Sequence, residues 1–216
     1  MRSYSDLEKL YDALAYRLLR LRRLYNSLSG RAVNDTGLVL ANVVIELDNL
    51  VLSGLREFLI SSLRGARTKL RVRVTVTSRF DDEDKISAYI LSILNTRKYA
   101  SIGFPLTLRR TEEPTIRDPR DIRKVLAASF ASNLPSVDSA LSLNSAIFRD
   151  LGTVRNFYAH RNADTWSKAR NKAISSGILN VKHADEYVLA PLLPRPVSVF
   201  EDWLDDAELF FDEITK

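Results

Sequence analysis

The chain contains no cysteine and only two histidines, His160 and His183. The first absence removes disulfides, thiol nucleophiles and thiolate zinc sites together, and the second leaves too little imidazole for a histidine-rich metal centre. There is no glycine-rich phosphate loop, no Ser-x-x-Lys or Gly-x-Ser-x-Gly nucleophile site, no His-Glu-x-x-His and no repeat at solenoid period. No metal and no cofactor is therefore expected. No apolar run approaches the twenty or so residues of a membrane span, and no short apolar core with a small-residue cleavage site follows Met1. The expectation is a cytoplasmic protein that does not enter a membrane.

What is present is a chain of 216 residues, 45% hydrophobic, long enough to bury a substantial core as one domain over 1–216. Charges of both signs are interspersed, which argues against disorder. The net charge of +5 and a pI near 9.5 favour an anionic partner. Arginine supplies most of the positive charge, and its planar fork suits phosphate better than lysine does.

Hydrophobic spacing is mostly helical. Residues 5–29 carry Leu7, Leu10, Leu14, Leu18 and Leu21 at intervals of three and four, with Ser5 as cap and Gly30 as stop. Arg17, Arg20, Arg22 and Arg23 gather in the last turns, where they complement the helix dipole or extend a nucleic-acid rim. Asp35 is placed to cap a second helix ending at Gly65, with a stripe of Leu38, Val43, Val44, Leu47, Leu50, Val51, Leu55, Phe58, Leu59 and Leu63. Its polar residues Glu46, Asp48 and Asn49 fall within one turn, on the wet side or with a carboxylate turned to an arginine.

At 69–77 the period changes to two, with Leu70, Val72, Val74 and Val76 alternating with polar neighbours, and a strand is expected. Its partner is sought at 102–109, limited to an edge by Pro105. A helix over 81–96 lies between them, making a β-containing insertion at about 67–110. A helix then starts near Pro119 and runs to about Phe130, and Pro135 and Ser136 open another whose Leu141, Leu143, Ile147, Phe148 and Leu151 lead to Arg155. Asp164 is placed to cap a short helix to Ser176, stopped by Gly177. A proline-rich link at 191–196 precedes a last helix, with a Ser198/Glu201 capping box and a face of Phe200, Trp203, Leu204, Ala207, Phe210, Phe211 and Ile214.

The densest chemistry is at Arg155-Asn156-Phe157-Tyr158-Ala159-His160, continued by Arg161 and Asn162. Imidazole takes and returns a proton near neutrality, while guanidinium stays charged and grips phosphoryl oxygens with parallel hydrogen bonds. An RNA strand brings its own nucleophile, the 2′-hydroxyl, so one such base and one such clamp suffice to cut it. Positions five apart lie about 140° around a helix, so Arg155 and His160 do not share a face. Either the backbone leaves the helix between them or a second chain completes the site. Asn156, four before His160, is placed to hold the imidazole in one tautomer. His183 has no arginine at this spacing and reads as a surface or packed residue.

Arg155, Asn156 and His160, flanked by Asp150-Leu151 and Ala159-His160-Arg161, resemble the Arg-x(4-6)-His signature of the HEPN superfamily of helical RNases and RNA-binding domains. The resemblance implies a mainly α, HEPN-like helical bundle, here with a small inserted β-hairpin, and a homodimer with both motif copies facing one cleft. It also implies metal-independent cleavage of RNA, in a toxin held by a cognate antitoxin or in a defence nuclease. In that reading Arg155, Asn156 and His160 are catalytic, and Arg161 and Asn162 contact RNA. The rival expectations are a non-catalytic module holding RNA, a nucleotide or a protein partner, and an antitoxin-like structural subunit.

Overall fold

The computed structural model describes residues 4–28, 33–77, 80, 82–103, 108, 112–192, 194 and 196–216, with the side chains of 33–36 excepted. Among them the chain forms ten helices and one two-stranded antiparallel hairpin, so the protein is mainly α with a small β-hairpin. Two compact units divide it. The first comprises Met1–Ala13, Leu52–Asn144 and Phe210–Lys216, and the second Leu14–Val51 and Ser145–Leu209.

Helix α1 (Leu7–Asn26) buries Leu7, Leu10, Leu14 and Leu18, as the spacing requires. Asp6 rather than Ser5 receives its first turn, accepting from the Glu8 amide at 3.0 Å. Gly30 lies outside the described residues. Helix α2 (Val33–Leu63) starts two residues before Asp35, whose side chain is also outside them. The expected stripe is buried from Val43 to Leu63, while Leu38 stands in solvent. By length and composition Gly37–Leu63 is apolar enough to cross a membrane, but 56% of its most apolar window is buried inside the protein, which is how a core helix behaves. After it Gly65 adopts φ +75°, a conformation that favours glycine.

The first unit holds α3 (Glu83–Leu94), α4 (Thr96–Ser101), α5 (Pro119–Ala128) and α6 (Leu134–Ser142). Asp82 caps α3, and Asp118 caps α5 ahead of Pro119. Arg56 of α2 meets Glu113 through two hydrogen bonds of 2.9 Å, and Glu113 also accepts from Ser87 at 2.7 Å, so this ion pair is satisfied within the core.

The strand expected at 69–77 does not form. Arg71 takes φ +64°, and a tight turn closes with the Thr68 amide donating to the Val72 carbonyl at 2.8 Å. Leu70 and Val72 are left 71% and 60% exposed, so the alternating face has nothing to bury against and only Val74 enters the core. What survives is an isolated bridge between Arg67 and Arg73. The proposed partner at 102–109 lies mostly outside the described residues. The hairpin is instead made by β1 (Pro191–Leu192) and β2 (Val197–Ser198), from the proline-rich link. A two-stranded ribbon has only edges, which tolerate proline.

The second unit holds α7 (Ile147–His160), α8 (Ala163–Ser175) and α9 (Ala184–Leu189), with most of α10 (Val199–Ile214). The single helix expected from Pro135 to Arg155 is broken into α6 and α7, because Asn144 turns the chain at φ +49°. Helix α7 has no side-chain cap of its own, and Asp206 of α10 accepts from the Ile147 amide at 3.1 Å instead. In α10 the Ser198/Glu201 capping box forms and the whole anticipated aromatic face is buried.

Candidate functional site

Helix α7 carries Arg155, Asn156 and His160, and it stays helical through His160. Of the two ways to reconcile the five-residue spacing, departure of the backbone from the helix does not occur. The helix is fixed on its buried side by Ile147, Leu151, Val154 and Tyr158. Buried Asp150 pairs with Lys172 of α8 at 3.1 Å and with its neighbour Arg149 at 3.0 Å, locking α7 to α8. Phe157 adds ring contacts with Tyr158 at 5.5 Å and with Trp166 of α8 at 5.6 Å.

Arg155 turns toward α2. Its Nε lies 3.5 Å from Asp48 Oδ2, with the side chains 26% and 6% exposed respectively. The Nε–H is buried and makes no hydrogen bond, so the attraction at this distance is chiefly electrostatic. The other end of the guanidinium reaches Asn156, whose Oδ1 accepts from Nη1 at a long 3.4 Å. Asp48 therefore steers the arginine from below and Asn156 from the side.

Sequence reasoning left three polar residues open on this stretch of α2. Glu46 and Asn49 are exposed, whereas Asp48 is buried and is the carboxylate that meets the arginine. The signal that singles it out is its place in the apolar stripe, four after Val44 and seven before Leu55, where a carboxylate needs a cationic partner.

His160 ends the helix, exposed, and its side chain makes no hydrogen bond or ion pair among the described residues. The amide of Asn156 is directed to Arg155, not to the imidazole. Arg161 follows as a left-handed helix cap at φ 45°, ψ 47°, its amide donating to the Phe157 carbonyl at 2.7 Å, and its side chain is exposed. Asn162 is the N-cap of α8, in a capping box with Thr165 whose amide it receives at 2.9 Å. That displaces the cap expected at Asp164, which instead pairs with Lys168 one turn on at 2.7 Å. The two-residue turn leaves His160 and Arg161 side by side at an exposed corner.

Beneath the corner, Tyr158 donates to Asp185 of α9 at 2.6 Å. Burial and then the Asp185 carboxylate push the phenol far above the ordinary tyrosine range, so it stays protonated. The same carboxylate lies close to Gly37 of α2, where a Cβ would come within 3.3 Å of Oδ2. His183 is exposed and precedes α9 without capping it through its side chain. Elsewhere in this unit Arg17 and Arg20 of α1 line an open cleft of about 360 Å³ with Asn42 and Glu46, while Arg22 pairs with Asp205 at 2.6 Å. No three His, Asp or Glu side chains among the described residues gather as a metal-ligand set.

Comparison of the chain with protein-family models, with curated proteins and with solved structures finds no match.

Proposed function

We propose that the protein is a metal-independent endoribonuclease of the HEPN type, acting as a toxin or defence nuclease. The observation that carries this reading is the exposed His160, unpartnered among the described residues, on the same packed helix as an arginine steered by Asp48 and Asn156. A rigid helix holds catalytic groups better than a loop does. His160 takes the proton from the ribose 2′-hydroxyl, and the 2′-oxygen attacks phosphorus. Arg155 stabilises the phosphorane through the guanidinium edge that faces away from Asp48. Because the two side chains diverge around an intact helix, the reading calls for a two-fold dimer. In it the partner's His160 protonates the leaving 5′-oxygen as its bond to phosphorus breaks. The products are a 2′,3′-cyclic phosphate and a 5′-hydroxyl end, and Arg161 holds a flanking phosphate. Asn162, committed to capping α8, contributes through the turn it fixes.

A second reading is favoured by the Arg155–Asp48 pair itself, since an arginine neutralised within its own chain is also what a purely structural ion pair needs. In that reading the corner belongs to a non-catalytic module that binds RNA, a nucleotide or a protein partner. Incubation with total RNA in EDTA separates the two, using wild type beside His160→Ala and Arg155→Ala and mapping product ends. The nuclease reading expects cyclic-phosphate ends from wild type and none from either variant. Cleavage that survives either substitution, or no cleavage by wild type, overturns it.

A further inference from the structure

In the first unit, the start of α1 and the chain just after α2 enclose an open recess of about 520 Å³. Four cations line it, Lys9, Arg64, Arg67 and Arg73, against a single carboxylate, Asp6. That carboxylate is already engaged, since it caps α1 and accepts from Arg71 Nη1 at 2.7 Å, while Glu8 takes the other arm of Arg71 at 2.6 Å. The side chains of Lys9 and Arg67 are exposed and make no hydrogen bond or ion pair among the described residues.

The wall that carries these charges is fixed. The Arg67 amide donates to the Ser5 carbonyl at 3.0 Å and its carbonyl accepts from the Leu7 amide at 2.7 Å, so its backbone is tied to the first turn of α1. Arg73 is held by an Nε donation to the Gly65 carbonyl at 3.3 Å. Lys9 and Arg67, with no anionic partner among the described residues, add positive charge to this frame that an anion would neutralise. Three of the four are arginines, whose fork matches phosphate oxygens two at a time. The recess is open and its cations stand in solvent, which suits several phosphates passing along it better than one enclosed anion.

We infer that this recess binds the phosphodiester backbone of a single-stranded polynucleotide. The assignment goes beyond the proposed cleavage chemistry and holds whether or not the strand is cut. It specifies no base sequence, because no aromatic platform other than Tyr4 borders it.

The test measures binding of a labelled single-stranded oligodeoxynucleotide, which lacks the 2′-hydroxyl and so cannot be cleaved by the proposed route. Fluorescence anisotropy across a salt series compares full-length wild type, Lys9→Gln/Arg67→Gln and the control Lys85→Gln/Arg97→Gln. The control removes the same charge from two exposed side chains that also make no hydrogen bond or ion pair among the described residues. Loss of two phosphate contacts is expected to flatten the slope of log Kd against log salt by about 1.4 and to weaken binding about tenfold at low salt. The control should keep the wild-type slope. Equal flattening in both variants, or in neither, overturns the inference. Inorganic tripolyphosphate and poly-glutamate are added as competitors at matched charge. Displacement by the first as readily as by unlabelled strand would make the ligand a small oligophosphate, and displacement by the second would make it an acidic peptide; either outcome refutes the assignment.

Discussion

The pairing of Arg155 with Asp48 separates a structural arginine from a chemical one, because the two roles respond differently to loss of the carboxylate. At 3.5 Å the gross attraction is about 5 kcal/mol for an effective dielectric near 20, most of it offset by the desolvation of Asp48. Arg155→Ala removes the cation 3.5 Å from that buried carboxylate and is expected to cost about 2–4 kcal/mol, toward the lower end because Arg155 is partly exposed. In an Asp48→Asn background the same substitution removes only packing and the long hydrogen bond to Asn156, and is expected to cost about 1 kcal/mol or less. A double-mutant cycle by urea denaturation, read at constant m, should therefore return a coupling of about 1–3 kcal/mol. A coupling below about 0.5 kcal/mol would refute the steering role given to Asp48. The same four proteins assayed for RNA cleavage complete the reasoning. Restored stability without restored cleavage in Arg155→Ala/Asp48→Asn is expected if Arg155 acts on phosphate, and restored cleavage would show that it only neutralises Asp48.

Other consequences follow from neighbouring contacts. Tyr158 has a phenol raised by burial and Asp185, so the unfolded chain ionises first: its stabilising share is complete below the ordinary tyrosine pKa of about 10 and is lost as pH rises beyond it. Tyr158→Phe should flatten the alkaline limb of the thermal midpoint while lowering stability at pH 7 by about 1–3 kcal/mol, and an unchanged alkaline limb would contradict this. Asp212 is depressed chiefly by the hydrogen bond from Lys69, so its contribution is present above the unfolded carboxylate value near about 4 and disappears as pH falls through the lower folded value. Lys69→Met should reduce that acid-side loss in a urea series from pH 5 to pH 2, leaving the smaller share held by Lys216. Arg161→Gly frees a left-handed position from its side chain and should stabilise by up to about 1 kcal/mol while weakening RNA binding if Arg161 holds phosphate. A variant that is both less stable and equally tight would oppose both assignments.

The helices were legible where burial and periodicity coincide. In α10, Phe200, Trp203, Leu204, Ala207, Phe210, Phe211 and Ile214 sit on one face by spacing alone, and all are buried. The 69–77 segment shows the opposite case: its period of two is genuine, but alternation makes a strand only when another strand receives its hydrogen bonds, and Arg71 in a left-handed turn ends that chance. The break at Asn144 and the move of the α8 cap to Asn162 share one cause. Asparagine tolerates left-handed backbone and captures nearby amides, and the pattern of apolar residues does not report either property. At the candidate site the sequence supplied the arginine and histidine but not the direction of the guanidinium. That direction depends on Asp48, more than a hundred residues earlier, which the fold of the second unit brings within 3.5 Å of the guanidinium. A motif read along the chain thus names the charges, while the carboxylate that pairs with one of them comes from a distant helix. Where an apolar stripe contains a lone carboxylate, as at Asp48, the search for its partner is the step that turns a local motif into a site.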